Sequence, residues 1–397
     1  MFRGINTPWQ DILSEGYRDV RQVQHLFHFS KSELSALLKV QRTFPFFTNP
    51  YYLSLIDTDD PKDPIRMMSI PNLAEASAGG SFDTSGEKEN TVLTGLQHKY
   101  PETALVLSTN QCAMYCRFCF RKRMIGLSKG ETPGHITEIA SYIRAHEEIS
   151  SVLISGGDAF MNSNETIRFY LESLSGIPHL DLIRFGTRTP VVLPQRITSD
   201  LELLSILGKY CKEKRIYVVT QFNHPREVTK ESAAAVDHLM ALGIPVRNQT
   251  VLLRGINDDP EILGLLLKRL TAIGVQPYYV FQCRPVRGVK GRFQVPLPKG
   301  ADIVQAAASR QNGLGKSFRY ALSHEEGKIE ILGRIDGRNM MFRYHQAKSP
   351  KNADRSSRGR SKRISAGSEF LSVKRAPLSA VFLPIAGPFL FFIAQCP

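Results

Sequence analysis

The sequence predicts an α/β chain centred on a partial (β/α)6 TIM-like barrel, with a helical N-terminal extension and a short C-terminal segment. Two observations predict it. Six short apolar runs alternate with amphipathic stretches of helical length, and the glycine-rich or polar irregularities fall mostly just after the apolar runs. Parallel strands need crossover connections, so this alternation implies a parallel sheet. Barrels and open parallel sheets both build their sites at the strands' carboxyl ends. Six units instead of eight give an open barrel, and a doubly wound sheet is the rival architecture.

Residues 1–100 read as a mostly helical extension. Ser30-Lys31-Ser32-Glu33 resembles a capped helix start, whereas Pro, Asp, Gly and Ser crowd residues 57–92 and suggest irregular structure. The barrel is assigned to residues 101–320, with strands at 104–109, 151–155, 181–186, 216–221, 246–253 and 275–282. Helices fill 135–147, 164–174, 200–213, 230–242 and 260–273. In the last, Ile262, Leu265, Leu266 and Leu270 fall at helical spacing beside Lys268 and Arg269. A segment at 321–348 follows. The tail, 349–397, is basic and then apolar. Its apolar run carries Pro377, Pro384 and Pro388, so a disordered or non-native tail is expected there, not a membrane anchor.

With 42 % apolar and 22 % charged residues, the 397-residue chain has the balance of a soluble globular protein with a large core. The net charge of +14 invites a nucleic-acid reading. Part of it, however, is concentrated in residues 351–375, and no basic helix face or aromatic-interleaved patch accompanies the rest. A solvated basic surface that also suits anionic small molecules is the better expectation, with no nucleic-acid and no membrane partner. Six cysteines are too few for a disulfide scaffold, and three of them crowd into eight residues while Cys211, Cys283 and Cys396 are scattered. Clustered thiols without an apolar signal core point to metal binding in a reducing compartment, the cytoplasm.

The three lie in Cys112-Ala113-Met114-Tyr115-Cys116-Arg117-Phe118-Cys119, a Cys-x3-Cys-x2-Cys spacing. Thiolates suit iron–sulfur clusters and zinc. A structural zinc site closes with four ligands, and only His98 or His135 is at hand to supply the fourth. Three ligands on a four-iron cluster instead leave one iron open to a small molecule. Three merely buried cysteines in one loop would be unusual.

This spacing, with an aromatic residue before the last Cys, resembles the S-adenosylmethionine radical superfamily. The wider chain resembles its lysine 2,3-aminomutase branch, through His98-Lys99-Tyr100-Pro101, residues 112–123, Ser155-Gly156-Gly157-Asp158, residues 188–197, Phe222-Asn223-His224-Pro225, residues 248–255 and Pro277-Tyr278-Tyr279. The resemblance covers roughly 96–348. It implies a [4Fe-4S] cluster on Cys112, Cys116 and Cys119 whose open iron chelates S-adenosyl-L-methionine. Reduction by a donor such as flavodoxin or ferredoxin then releases a 5′-deoxyadenosyl radical. Ser155, Gly156, Gly157 and Asp158 match the segment that holds the methionine amino group. Two glycines let the backbone approach closely and Asp158 could counter the ammonium, although a Gly-Gly pair alone also reads as a plain turn. Gln249 matches a cofactor-pocket position, and Gln221 stands where the lysine enzymes carry His.

In this family a lysine forms a Schiff base with pyridoxal 5′-phosphate, which stabilises the substrate radical during a 1,2-amino migration. By register that lysine is Lys328, and its alternative reading is a solvated lysine entering the 329–332 strand. Lys99 and Tyr100 match cofactor positions, with Lys99 replacing one phosphate-clamping arginine and Thr103 another. Arg121 matches the arginine that grips the substrate carboxylate. The two aspartates that hold a substrate lysine's ammonium correspond to Arg284 and Ala321, so an acidic substrate such as glutamate fits better than lysine. Arg284 turned outward onto an acidic loop is the other reading. A homo-oligomer stays open, since no cysteine before Cys396 matches the zinc-binding ones that join some relatives. The alternatives are a radical enzyme without pyridoxal phosphate, a non-catalytic iron–sulfur or zinc protein, and a nucleic-acid-modifying radical enzyme.

Overall fold

The computed structural model describes residues 7–349 except 78, 128, 129, 337 and 338, together with the backbone of Ser356–Arg360. Twelve strands form one sheet whose spatial order is the chain order. They are β1 Thr91–Leu93, β2 Leu96–Tyr100, β3 Thr103–Thr109, β4 Ser151–Gly156, β5 Leu182–Gly186, β6 Arg215–Thr220, β7 Val246–Leu252, β8 Gln276–Gln282, β9 Arg319–His324, β10 Gly327–Arg334, β11 Asn339–Ala347 and β12 Ser356–Arg360. Each neighbouring pair from β3 to β9 is parallel, and the flanking pairs are antiparallel. The order never reverses. A doubly wound sheet needs such a reversal, so that alternative is set aside.

The described helices include α1 Lys31–Thr43 in the lead-in and the crossover helices α2 Ile136–Ala145, α3 Asn164–Ser175, α4 Leu201–Tyr210, α5 Lys230–Ala241, α6 Pro260–Ala272 and α7 Leu297–Ser309. Their starts follow from local chemistry. Ser30 and Glu33 form the reciprocal capping box expected of that motif, and Asp200, Thr229 and Asp259 accept backbone N–H groups at the starts of α4, α5 and α6. Side chains alternate across each strand. Val152 and Ile154, Ile183 and Phe185, and Ile216 and Val218 are buried in the main core, whereas Ser155, Arg184, Tyr217 and Gln249 on the opposite face are only half-buried.

The structure departs from the sequence expectation in three places. The stretch to residue 100 ends not in helix but in β1 and β2, which lengthen the sheet. A seventh parallel strand, β9, crosses the expected boundary at 320. It escapes notice because Arg319, Ser323 and His324 break its apolar pattern. The expectations for residues 349–397 lie outside the described residues, apart from Ser349 and the strand β12 paired to β11. Among the described residues no helix is long and apolar enough to cross a membrane.

Candidate active site

Cys112, Cys116 and Cys119 occupy the loop that leaves the carboxyl end of β3. The loop is clamped from the N-terminal extension. Buried Glu75 takes Arg117 through Nε at 3.0 Å and Nη2 at 2.7 Å, and Lys122 at 2.5 Å. Arg188, from the loop after β5, donates to Cys116 Sγ at 2.9 Å, and the Arg121 amide donates to Cys119 Sγ at 3.3 Å. Burial pushes the Cys112 thiol well up and the Cys119 thiol up to about 11, with the neighbouring thiols adding to both shifts. Metal ligation deprotonates such thiols, so the three residues fit a cluster that shares its negative charge with Arg188. His98 does not join them. It hydrogen-bonds Tyr142 and the Pro101 carbonyl, which removes it as a fourth zinc ligand.

The end of β4 packs on this loop. Gly157 N–H donates to Thr109 O at 2.6 Å and Asp158 N–H to Gln111 O at 2.8 Å. A Cβ on either glycine would strike the Thr109 or Gln111 backbone, and Gly156 holds φ at +106°. The close approach the glycines permit is thus to the cysteine loop. Asp158 differs from expectation too: its oxygens accept from Thr187 Oγ1 at 2.6 Å, the Arg188 amide at 2.6 Å and the Phe160 amide at 3.0 Å. Burial raises its pKa despite these bonds. The carboxylate is thereby committed to fixing the loop that carries Arg188, instead of standing open to an ammonium.

Arg121 and Arg284 come together although one follows β3 and the other β8. Their guanidinium carbons stand 4.5 and 4.1 Å from the Phe120 ring centroid. Arg121 Nε donates to Glu87 at 3.1 Å, and its Nη1 lies 3.3 Å from the Gly156 carbonyl and 3.5 Å from Ser155 Oγ. Arg284 reaches inward to Ser85 Oγ at 2.8 Å, and no carboxylate pairs with it among the described residues. Ser85 belongs to the acidic 83–89 loop, and after burial Glu87 is the first charge to act on Arg284, so the side chain turns inward onto an acidic loop rather than outward. Ala321, at the other substrate position, is fully buried. Lys99 bonds the carbonyls of Ser85 and His324, and burial, then Arg284 and Lys348, bring its amine to about 8. Burial raises the neighbouring Tyr100 to about 12.

Lys328 is no solvated strand-entry residue. Its amine stands 4.5 Å from the Tyr279 ring centroid and 3.0 Å from Gln346 Oε1 on the paired strand. Burial first, then Arg184, Arg284 and Lys99, lower it to about 7. A desolvated amine among cations is in substantial part the free base near pH 7 and suits carbonyl attack. It fits the lysine that pyridoxal phosphate requires. Gln249 lies on β7 with its half-buried side chain on the same face as Arg247. Glu75, Glu87 and Arg188 carry weight that sequence reasoning missed. Arg188 was inside a matched stretch, whereas Glu75 and Glu87 sit in irregular chain that offers no period to read.

Residues 106–266 match the radical SAM superfamily. A putative L-lysine 2,3-aminomutase of Aquifex aeolicus (strain VF5) is 44 % identical over 324 residues, covering 81 % of this chain and 86 % of that one. The glutamate 2,3-aminomutase of Clostridioides difficile (strain 630) is 39 % identical over 78 % of this chain and 72 % of its own. The L-lysine 2,3-aminomutase of Clostridium subterminale is 38 % identical over 77 % and 73 %. With such identity over most of both partners, and with the cysteine loop, the β4 glycines and the buried lysine in one site, this chain belongs to the lysine 2,3-aminomutase family of radical SAM enzymes.

Proposed function

We propose that this isomerase moves the amino group of an acidic α-amino acid, glutamate in the simplest case, to the neighbouring carbon at the mouth of a partial (β/α)6 barrel. The observation that carries the reading is the pair Arg121 and Arg284, gathered on Phe120 beside the cluster loop. A lysine side chain would bring its ammonium to a guanidinium here, whereas a second carboxylate would meet a matching fork. Curvature into a barrel is supported by Lys99 on β2, which bonds the end of β9, seven strands away in the sheet.

Cys112, Cys116 and Cys119 would hold the cluster, with Ser155, Gly156, Gly157 and Gln249 around S-adenosylmethionine. Lys328, with Lys99 and Tyr100 beside it, would hold pyridoxal phosphate. When bound, these groups supply a 5′-deoxyadenosyl radical and a ring that delocalises the substrate's unpaired electron. The chain's own work is placement. Arg121 offers Nη2 to the α-carboxylate, Arg284 takes the distal carboxylate, and Glu87 fixes Arg121 through Nε. Tyr279 and Phe281 wall the Lys328 amine from water. A one-electron donor of the flavodoxin or ferredoxin class and a reducing cytoplasm complete the requirements.

The test is anaerobic incubation of cluster-reconstituted, reduced protein with S-adenosylmethionine, pyridoxal phosphate and either glutamate or lysine. The expected product is 3-aminopentanedioate from glutamate. Lysine turnover at a comparable rate would overturn the reading.

A further inference from the structure

Two arginines inside the sheet remain without a counter-charge. Arg184 on β5 and Arg247 on β7 flank Tyr217 on β6, on the face that carries Gln249. Among the described residues neither side chain makes a hydrogen bond or ion pair, and both Nε atoms are buried without a partner. Arg247 is boxed by rings, its guanidinium carbon 5.2 Å from the Tyr217 centroid and 5.3 Å from that of Tyr278. Burial, and Arg247 in turn, lower the Arg184 pKa, and Arg184 is the first charge to act on Lys328 after burial. A half-buried charge whose Nε is shut away from water is costly unless something neutralises it. Among the described residues no acidic side chain pairs with either arginine.

We propose that Arg184 and Arg247 form an anion pocket that takes the phosphate of the pyridoxal cofactor attached to Lys328. Three observations favour a phosphate ester over a substrate carboxylate. Arg247, the second residue of β7, pairs with Gln276, the first residue of β8, at the sheet end opposite the cysteine loop. A substrate must instead meet the radical at the cysteine end. Lys99, the expected phosphate ligand, is committed to the Ser85 and His324 carbonyls, and Thr103 adds no charge. Two guanidinium forks match a phosphate dianion's charge and its several acceptor oxygens.

The proposal rests on the aminomutase reading, and the test separates the two. Equilibrium dialysis of cluster-reconstituted, cofactor-free protein would measure binding of pyridoxal 5′-phosphate and of pyridoxal, which lacks the phosphate. Arg184→Ala and Arg247→Ala are expected to weaken pyridoxal phosphate by about tenfold to a hundredfold each, as for a lost charge-assisted bond. Pyridoxal should bind these variants as it binds the parent, and the melting temperature of the ligand-free variants should not fall. Equal weakening of both ligands would mean a purely structural role and would overturn the proposal, as would no change in either. Unchanged cofactor binding with a raised KM for glutamate would overturn it in favour of a carboxylate pocket. A parent protein that binds no pyridoxal phosphate would sink the aminomutase reading itself.

Discussion

Replacing Glu75 by Gln should loosen the cysteine loop. Glu75 is fully buried and neutralises two cations at once, Arg117 at 2 % and Lys122 at 5 % side-chain exposure. Burial alone would raise its carboxyl, but Arg117 and Lys122 outweigh burial and hold it below the ordinary range. Gln keeps the shape and loses the charge, which leaves both cations uncompensated. Removing one partner of a buried pair costs about 3–5 kcal/mol, and at roughly 2 °C per kcal/mol for a chain of this size the melting temperature should drop by about 6–10 °C. The assay is anaerobic calorimetry of cluster-loaded protein, with iron release to a chelator followed in parallel. Adding Lys122→Met should recover part of the loss, because one of the stranded cations is then gone. A fall equivalent to less than about 1 kcal/mol, or no recovery in the double variant, would refute the clamp, since ordinary surface changes stay within that range.

Gly157→Ala should cost cluster occupancy, because its new methyl would collide with the Gln111 backbone; iron content and the cluster's visible absorbance measure it. Arg284→Glu should lower kcat/KM for glutamate by about a hundredfold, through loss of a charge-assisted bond and added repulsion, while lysine turnover rises. Lys328 is lowered to about 7 in the fold against ~10.4 unfolded, so between these values the unfolded chain binds more protons. Stability of the cofactor-free protein should therefore rise with pH across that window and lose this slope in Lys328→Met, as melts at several pH values would reveal. Attachment of pyridoxal phosphate should likewise accelerate through pH 7 and then level off.

Much of the scaffold was legible because parallel strands and their crossover helices leave two different periods in the chain. β3 to β8 and α2 to α6 follow from that alternation within a few residues. β9 was not legible, since its pattern is broken by Arg319, Ser323 and His324, the last of which receives Lys99 on its carbonyl. The cysteine spacing declared its chemistry, because three soft ligands in eight residues have few other uses. The supporting charges did not. Glu75 and Glu87 act across 42 and 34 residues on Arg117 and Arg121, and no local pattern records so distant a pairing. Asp158 reads from the sequence as a contact to the co-substrate because Ser155-Gly156-Gly157-Asp158 matches the family segment for the methionine amino group. Only its three hydrogen bonds reveal that it serves Arg188.

The identity of spatial and chain order in the sheet also bears on biosynthesis. Each strand emerging from the ribosome can add to an edge already formed, so the scaffold can grow vectorially without waiting for a later segment to insert. Cys112, Cys116 and Cys119 leave the ribosome with the first parallel strand, whereas Lys328 follows about two hundred residues later, roughly 10–40 s at common elongation rates. The thiols are thus exposed to oxidants and to competing metals before the closing hairpin of β9 and β10 exists. Attachment of a pyridoxal cofactor to Lys328, as proposed above, has by contrast to wait until that later residue has been made.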